Sequence, residues 1–297
     1  MDPLLIILVS IVCIYVYHKY DVTVTEYECL STITAGDIQT GDIWMGCFNP
    51  VRERNVSMNA RIVKLLEIYH TDAIPTHVGL CYRDSTDRLF VMGLIHREDD
   101  EPYRMKFEFG KEGLRMIPFE VITAMYDYVT VRKAPEPIPN DKIGEALNAL
   151  PDQLLKGADP VLAKVRARLK GEPMPEGIPR DKMLCSEHVY AVLDFCGMID
   201  RPDIYPPLIL PGDYYESASH DSTGVVKFKK PYGPARRFFC TRESPEGKKI
   251  QEVYSQLLYP PLYIEAVFGE PISAVKIPRT KNDASALKTV KAVKSQV

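Results

Sequence analysis

Residues 181 to 197 read Asp-Lys-Met-Leu-Cys-Ser-Glu-His-Val-Tyr-Ala-Val-Leu-Asp-Phe-Cys-Gly, and this run predicts a short loop that leads into a helix. Cys185 would open the helix, Val189 and Val192 follow it at helical spacing, and Gly197 is a natural terminator. A thiol in the first turn lies at the positive end of the helix macrodipole, beside backbone N–H groups without a helical partner, so its thiolate is favoured. The pattern therefore predicts Cys185 as a nucleophile.

A cysteine nucleophile needs a base, and residues 76 to 82, Thr-His-Val-Gly-Leu-Cys-Tyr, offer one. This run is rich in β-forming residues and is followed by a polar turn and a second apolar run from Leu89 to Ile95, so it predicts a β-hairpin. His77 would lie near the start of the first strand. His188 is a second candidate base, but a base on the same helix as the thiol usually points past it.

Four short motifs follow one another between residues 33 and 220: Ala35-Gly-Asp-Ile-Gln-Thr-Gly-Asp-Ile43, His77-Val-Gly-Leu80, Leu184-Cys-Ser-Glu-His-Val-Tyr190 and Ile209-Leu-Pro-Gly-Asp-Tyr214. With the histidine strand before the cysteine helix, the chain resembles the circularly permuted NlpC-type papain-like cysteine hydrolases. That superfamily includes YiiX-like proteins, a poxvirus group and the lecithin:retinol acyltransferase family. The resemblance implies an α+β fold in which an antiparallel sheet packs on the catalytic-cysteine helix.

The resemblance also implies acyl transfer, with Cys185 attacking an ester, thioester or amide carbonyl and His77 serving as base and then as acid. Families of this kind orient the histidine with a polar residue on the following strand, but the closest matching position, near Met92, is apolar. His96 shares a face with Met92 by strand alternation and is the candidate third residue, unless it is an exposed histidine at the hairpin end. A peptidase or amidase acting on peptide or peptidoglycan amides, and a non-catalytic binding protein, remain open.

Composition limits the other classes of function. With 297 residues, 45% hydrophobic and 26% charged, the chain can bury a large core. The formal net charge of -3 gives no electrostatic reason to bind nucleic acid. The seven cysteines show neither a C-x-x-C pair nor zinc-finger spacing, so we expect no disulfide framework, no metal and no cofactor, and a reducing compartment.

The N-terminus predicts a membrane anchor over residues 1–20. Residues 3–17 carry no charge and are followed by Lys19, and a helix to Tyr20 would be roughly 27 Å long, against about 30 Å for a hydrocarbon core. Lys19 favours a cytoplasmic body by the positive-inside rule, although a buried N-terminal helix is an alternative. We therefore expect a single-pass membrane protein with its hydrolase domain over residues 21–275. Because an anchored enzyme meets lipids at high effective concentration, lipid-linked esters or amides are the expected substrates.

Residues 134–180 are rich in proline and predict an insertion of short helices before the cysteine helix. Within it, residues 160–170 combine an apolar stripe with four basic residues and no acid. Such a helix could lie on an anionic membrane or cover the active site, or it could pack on the core with a solvated basic face. The basic tail over residues 276–297 predicts disorder, and the sequence leaves the oligomeric state open.

The remaining segments predict ordinary elements. Gly36-Asp37 and Gly41-Asp42 are typical of turns in which the aspartate bonds to local backbone, rather than of functional carboxylates. The other expected elements are strands over residues 43–48, 128–132 and 225–229, an amphipathic helix over 59–70, an extended connection over 21–34 and a packed apolar segment over 251–268. The resemblance also implies a short closing helix within residues 206–216.

Overall fold

The structure is a computed structural model of the chain. It describes residues 24–47, 75–94, 114–150, 182–200, 209–217, 224–239 and 244–249, together with shorter pieces that include 65–68, 153–154, 163–164 and 167–168. The predicted third residue, His96, lies outside the described residues, as do residues 251–297.

A six-stranded antiparallel sheet forms the centre of the molecule. Its strands are β1 (Ile43–Cys47), β2 (His77–Arg83), β3 (Leu89–Leu94), β4 (Leu114–Pro118), β5 (Tyr128–Arg132) and β8 (Ala235–Arg237). They run in the order β4-β3-β2-β1-β5-β8, and every neighbouring pair is antiparallel. Two short strands, β6 (Gln153–Leu154) and β7 (Lys182–Met183), form a separate parallel pair. The α+β class and the antiparallel sheet expected from the sequence are confirmed.

The predicted hairpin is formed by β2 and β3. The Asp84 carboxylate accepts the backbone N–H groups of Thr86 and Arg88, each at 2.9 Å, and so closes the turn. Asp87 takes a left-handed φ of 66°, which aspartate tolerates better than most side chains. The turn chemistry therefore fixes the register of β2 with β3, in which Arg83 lies opposite Leu89 and Leu80 opposite Met92.

Among the described residues, three helices whose bounds are fully described accompany the sheet: α1 (Phe119–Thr123), α2 (Asn140–Ala149) and α3 (Cys185–Phe195). Single 3₁₀ turns occupy Ala35–Asp37 and Pro211–Tyr214, the latter within the predicted closing segment. The chain leaves α3 at Gly197, whose φ of 78° lies in the left-handed region that favours glycine. The predicted start and end of the cysteine helix are both confirmed.

Side chains alternate between the two faces of the sheet and build two separate clusters. One face meets α3, where Val78 and Leu80 share a cluster with Val189. The other face meets α1, where Trp44 and Val129 share a cluster with further apolar side chains. The sheet is therefore covered by α3 on one side and by α1 on the other.

The prediction of a single-pass membrane protein is corrected. Within the part of the chain that the structure describes, no helix combines the length and the apolarity needed to cross a membrane. Residues 3–17, on which the prediction rested, lie outside the described residues. The predicted transmembrane helix and membrane localisation are accordingly withdrawn.

Two local predictions are wrong. Residues 24–29 are helical rather than extended, because Tyr27 is buried in a cluster with Cys47 and Ile68 and this packing outweighs local propensity. Residues 225–229 make only an isolated bridge, between Phe228 and Ile199, instead of a strand. Of the helix predicted over residues 59–70, residues 65–68 are helical and the rest lies outside the described residues.

Candidate functional site

Cys185 is the first residue of α3. Leu184 before it is extended, with φ of -74° and ψ of 160°, so the chain turns into the helix at the cysteine itself. The Cys185 side chain is partly exposed and packs at the border of the cluster on the α3 face of the sheet. A thiol in this position meets the positive end of the helix while remaining within reach of solvent, which favours the thiolate.

A buried ion pair fixes the start of α3. Glu187 Oε2 accepts the backbone N–H of Leu184 at 2.8 Å, which caps the helix. Lys164 Nζ donates hydrogen bonds to both oxygens of the same carboxylate, each at 2.8 Å. The side chains of Lys164 and Glu187 are only 4% and 7% exposed, so this is an interior pair two residues from the candidate nucleophile.

The closing turn over Pro211–Tyr214 is tied to the same helix. Ser186 Oγ donates to the carbonyl oxygen of Ile209 at 2.5 Å, and the Tyr214 hydroxyl donates to the carbonyl oxygen of Ser186 at 2.7 Å. Asp213, which is fully buried, accepts the Leu210 N–H at 2.6 Å and is paired with the guanidinium of Arg168. The Pro-Gly-Asp motif therefore braces the first turn of α3.

His77 is the first residue of β2 and lies opposite Gly46 on β1. Its imidazole stacks on the ring of Tyr126, with centroids 5.9 Å apart and an interplanar angle of 11°. The indole of Trp44 meets the imidazole edge-on, also at 5.9 Å. The ring atom Nε2 is buried. Two aromatic side chains thus form the walls around the candidate base.

The structure places the two predicted dyad residues on elements that pack together, since α3 lies against β2 and β3. Their side chains, however, join different clusters. Cys185 borders the cluster on the α3 face, whereas the His77 ring contacts Trp44 and Tyr126, which belong to the cluster on the opposite face. The alternative base, His188, is buried within α3.

The aspartates of the two glycine–aspartate turns bond to backbone. Asp37 accepts from the N–H and hydroxyl of Thr34. Asp42 accepts the Gln39 N–H at 3.0 Å and, from a distant part of the chain, the Ala134 N–H at 2.8 Å. Burial raises the pKa of Asp42, while these N–H donors and Lys133 oppose the rise. The structural interpretation of both residues is confirmed.

A metal site needs several ligand side chains close together, and a reactive cysteine needs an accessible thiol. Among the described residues, no group of three or more histidine, cysteine or acidic side chains could hold a metal ion. Cys47 and Cys81 are buried, and burial raises the pKa of Cys81 well above its usual range. Cys185 is therefore more accessible to a reagent than these two thiols.

The sequence did not identify Lys164 and Arg168 as partners of Glu187 and Asp213. The spacing of the two basic residues, one helical turn apart, was visible. Their partners lie 23 and 45 residues further along the chain, so only the folded structure pairs them. Of the basic segment, the structure describes residues 163–164, 167–168 and 170, and Lys164 and Arg168 turn inward instead of forming the predicted solvated face. The aromatic walls around His77 were also missed, because Tyr126 belongs to neither motif.

Comparisons with known proteins include a weak structural likeness. No family model matches the chain, and no curated protein matches it. Among solved structures, the chain is similar to metalloprotein yiiX from Escherichia coli O157:H7, with 13% identity over 54% of this chain and 67% of that chain and a TM-score of 0.29. This neighbour is of the YiiX-like type that the motifs resemble, but a likeness of this size carries no argument about the fold or the activity.

Proposed function

We propose that the chain is a cysteine-dependent hydrolase or acyltransferase in which Cys185 is the nucleophile and His77 is the general base. The observation that carries the proposal is the position of Cys185: a partly exposed thiol at the first residue of a helix whose start is capped by Glu187. A helix N-terminus lowers the free energy of a thiolate relative to the thiol, and the thiolate is the reactive form.

The proposed reaction has two steps, acylation of Cys185 and deacylation. The imidazole of His77 takes the thiol proton while the sulfur of Cys185 bonds to the carbonyl carbon, and the carbonyl π electrons move onto oxygen. Backbone N–H groups at the start of α3 stabilise that oxyanion. The tetrahedral adduct then expels the leaving group, which takes the proton from the imidazolium. Water or another acceptor, deprotonated by the imidazole, attacks the resulting thioester and releases the acyl product and the thiol.

His77 has the role of general base in the proposed reaction. Its Nε2 is buried, and the ring is held between Tyr126 and Trp44. His96 remains the predicted third residue, with the role of orienting this ring.

The substrate class is an acyl ester, thioester or amide. The preference for lipid-linked substrates rested on the membrane anchor, and without it the residues at the site do not rank a lipid above a peptide. An amidase or peptidase acting on peptide or peptidoglycan bonds is therefore proposed on an equal footing with an enzyme acting on lipid-linked bonds.

A non-catalytic binding protein is the second candidate function, because one observation favours it. The His77 ring lies with the cluster on the face of the sheet opposite α3, and a dyad requires its imidazole to reach the Cys185 thiol. In a binding protein, Cys185 and His77 would not need to contact each other.

The first test follows the acyl-enzyme. Purified protein is incubated with lipid esters, thioesters, peptide amides and murein fragments, and acylation of Cys185 is read by mass spectrometry. Cys185→Ala should abolish acylation and turnover, and His77→Ala should lower turnover by about a thousandfold or more, with the double variant hardly worse than either one. Cys196→Ala, which removes the other thiol near this helix, is the matched control and should retain activity.

A second test asks whether the two residues interact. Trp44 is the single tryptophan of the chain and contacts the His77 ring, so its fluorescence should report protonation of that imidazole. If a Cys185 thiolate stabilises the imidazolium, Cys185→Ala should lower the pH midpoint of the fluorescence titration. An unchanged midpoint together with no acylation by any substrate would favour the binding protein.

A further inference from the structure

Two buried carboxylates near Cys185 are built in the same way. Glu187 is the third residue of α3 and accepts the N–H of Leu184, and Asp213 is the third residue of the closing turn and accepts the N–H of Leu210. Each carboxylate is paired with a basic residue from the insertion, Lys164 for the first and Arg168 for the second. Lys164 and Arg168 are four positions apart in the sequence, and both lie at helical residues of the insertion, so neighbouring parts of one segment reach both caps.

We propose that Lys164 is a positioning residue for the Cys185 thiol, and that Lys164 and Arg168 together form a clamp by which the insertion holds the cysteine loop against the closing turn. The inference rests on the proposed function for its catalytic meaning. The effect of Lys164 on the protonation of the Cys185 thiol does not depend on any substrate.

Electrostatics give Lys164 a specific task. The Glu187 carboxylate lies in the first turn of α3, two residues from the thiol, and by itself would oppose a thiolate there. The helix still needs this carboxylate as its cap. The ammonium of Lys164, at 2.8 Å from both carboxylate oxygens, balances the charge and leaves the positive end of the helix to act on Cys185.

Stability alone does not account for this pair. Moving two charges into the interior costs free energy that their attraction offsets only in part, so an apolar pair of similar volume often stabilises a protein as well or better. Here the Glu187 carboxylate also caps α3, and the Lys164 ammonium balances its charge beside Cys185, and an apolar pair could do neither. The links from Ser186 to Ile209 and from Tyr214 to Ser186 complete the clamp between the two caps.

The test measures the rate of Cys185 alkylation by iodoacetamide across pH in the full chain, with peptide mapping to separate the cysteines. Lys164→Met leaves the Glu187 charge uncompensated, so alkylation of Cys185 should slow by about tenfold near pH 7 and its profile should move to higher pH. Glu187→Gln removes the opposing charge and keeps an oxygen for the Leu184 N–H, so the profile should move to lower pH. The double variant Lys164→Met with Glu187→Gln should return close to the wild-type profile.

The controls separate positioning from general damage. Lys142→Met changes an exposed lysine of α2 and should leave the profile in place. Exposed Cys29 reports the activity of the reagent in every variant, and circular dichroism reports the folded state. Shifts in the same direction in the two single variants, or no shift in folded protein, would overturn the proposal. If Lys164→Met does not fold, Glu187→Gln and the double variant still decide it. Loss of the acyl-enzyme with these shifts intact would reject only the proposed function.

Discussion

Cys196 follows the last residue of α3, at the opposite end of the helix from Cys185, and its surroundings disfavour a thiolate. Burial raises the pKa of Cys196 to about 11; nearby Lys142 opposes the rise and Glu145 adds to it. The C-terminal end of a helix also carries partial negative charge. One helix therefore presents two thiols in opposite electrostatic settings.

Iodoacetamide should accordingly spare Cys196 at about pH 8, where roughly one molecule in a thousand carries its thiolate. The labelling rate of Cys196 should rise about tenfold for each pH unit and level off near pH 11, because only the thiolate reacts. Timed labelling with peptide mapping measures this, with exposed Cys29 as the reference. Equal rates for Cys196 and Cys29 at pH 8 would show that burial does not hold the proton.

At the scale of the strand, Gly46 of β1 makes room for the walls around His77. A methyl group on Gly46 would lie 2.5 Å from Trp44 Cη2 and 2.7 Å from Tyr126 Cδ1. The rings contact each other, with centroids 4.9 Å apart, and both contact the imidazole. The strand therefore needs a residue without Cβ at the position opposite His77.

Gly46→Ala should lower the free energy of unfolding by about 1–3 kcal/mol, because the added methyl group overpacks the aromatic cluster. It should also change the emission of Trp44 in the folded protein, since that ring must move. Denaturant unfolding and fluorescence measure the two effects. Gly36→Ala is the matched control: its methyl group would meet only Thr34 Oγ1, at 3.8 Å, and stability should hardly change.

The strands that could be predicted from the sequence are the inner ones. β1, β2, β3 and β5 pair on both sides and carry dense apolar runs. β4 and β8 lie at the two edges, and β8 consists of Ala235, Arg236 and Arg237, which carry no strand pattern. An edge strand pairs with a full strand on one side alone, so its sequence is less constrained than that of a central strand. On its other side, β8 makes an isolated bridge from Arg237 to Thr32. Its place is set by the folded sheet.

The same division applies to the candidate site. The start of α3 at Cys185 follows from local signals, the helical spacing and the terminating Gly197, and could be predicted. The partners of Glu187 and Asp213 come from a separate segment, and which face a strand's first residue presents depends on the register of β1 with β2. Tertiary contacts of this kind leave no pattern in a single sequence.

At the scale of the whole molecule, Arg132 ties the sheet to the closing parts of the chain. It lies on β5 with its side chain 1% exposed. Its guanidinium donates to the carbonyl oxygens of Tyr214 at 2.7 Å, Gly233 at 2.8 Å and Tyr232 at 3.2 Å, and to the Glu216 carboxylate at 2.8 Å. One side chain thus holds two segments that lie about 80 and about 100 residues after it in the sequence. Tyr214 in turn bonds to the first turn of α3.

Arg132→Met should lower the free energy of unfolding by about 3 kcal/mol or more, since it leaves buried carbonyl groups without donors and each such loss costs about 1–3 kcal/mol. Burial lowers the pKa of Arg132, and Glu216 opposes this, yet an arginine stays protonated at any ordinary pH. The loss should therefore be nearly independent of pH between about 6 and 9. Denaturant unfolding at several pH values measures it.

The ion pair with Glu216 should account for little of that loss. The Glu216 side chain is 44% exposed, so solvent screens the pair, and such pairs contribute about 0–1 kcal/mol. Glu216→Gln keeps an oxygen in place and should be nearly neutral, which makes it the matched control for the charge. Arg132→Lys keeps the charge but loses the planar fork that serves several carbonyl groups at once, so its stability should fall between those of the other two variants. If Glu216→Gln were as damaging as Arg132→Met, charge pairing rather than satisfaction of the carbonyl groups would hold the closing segments on the sheet.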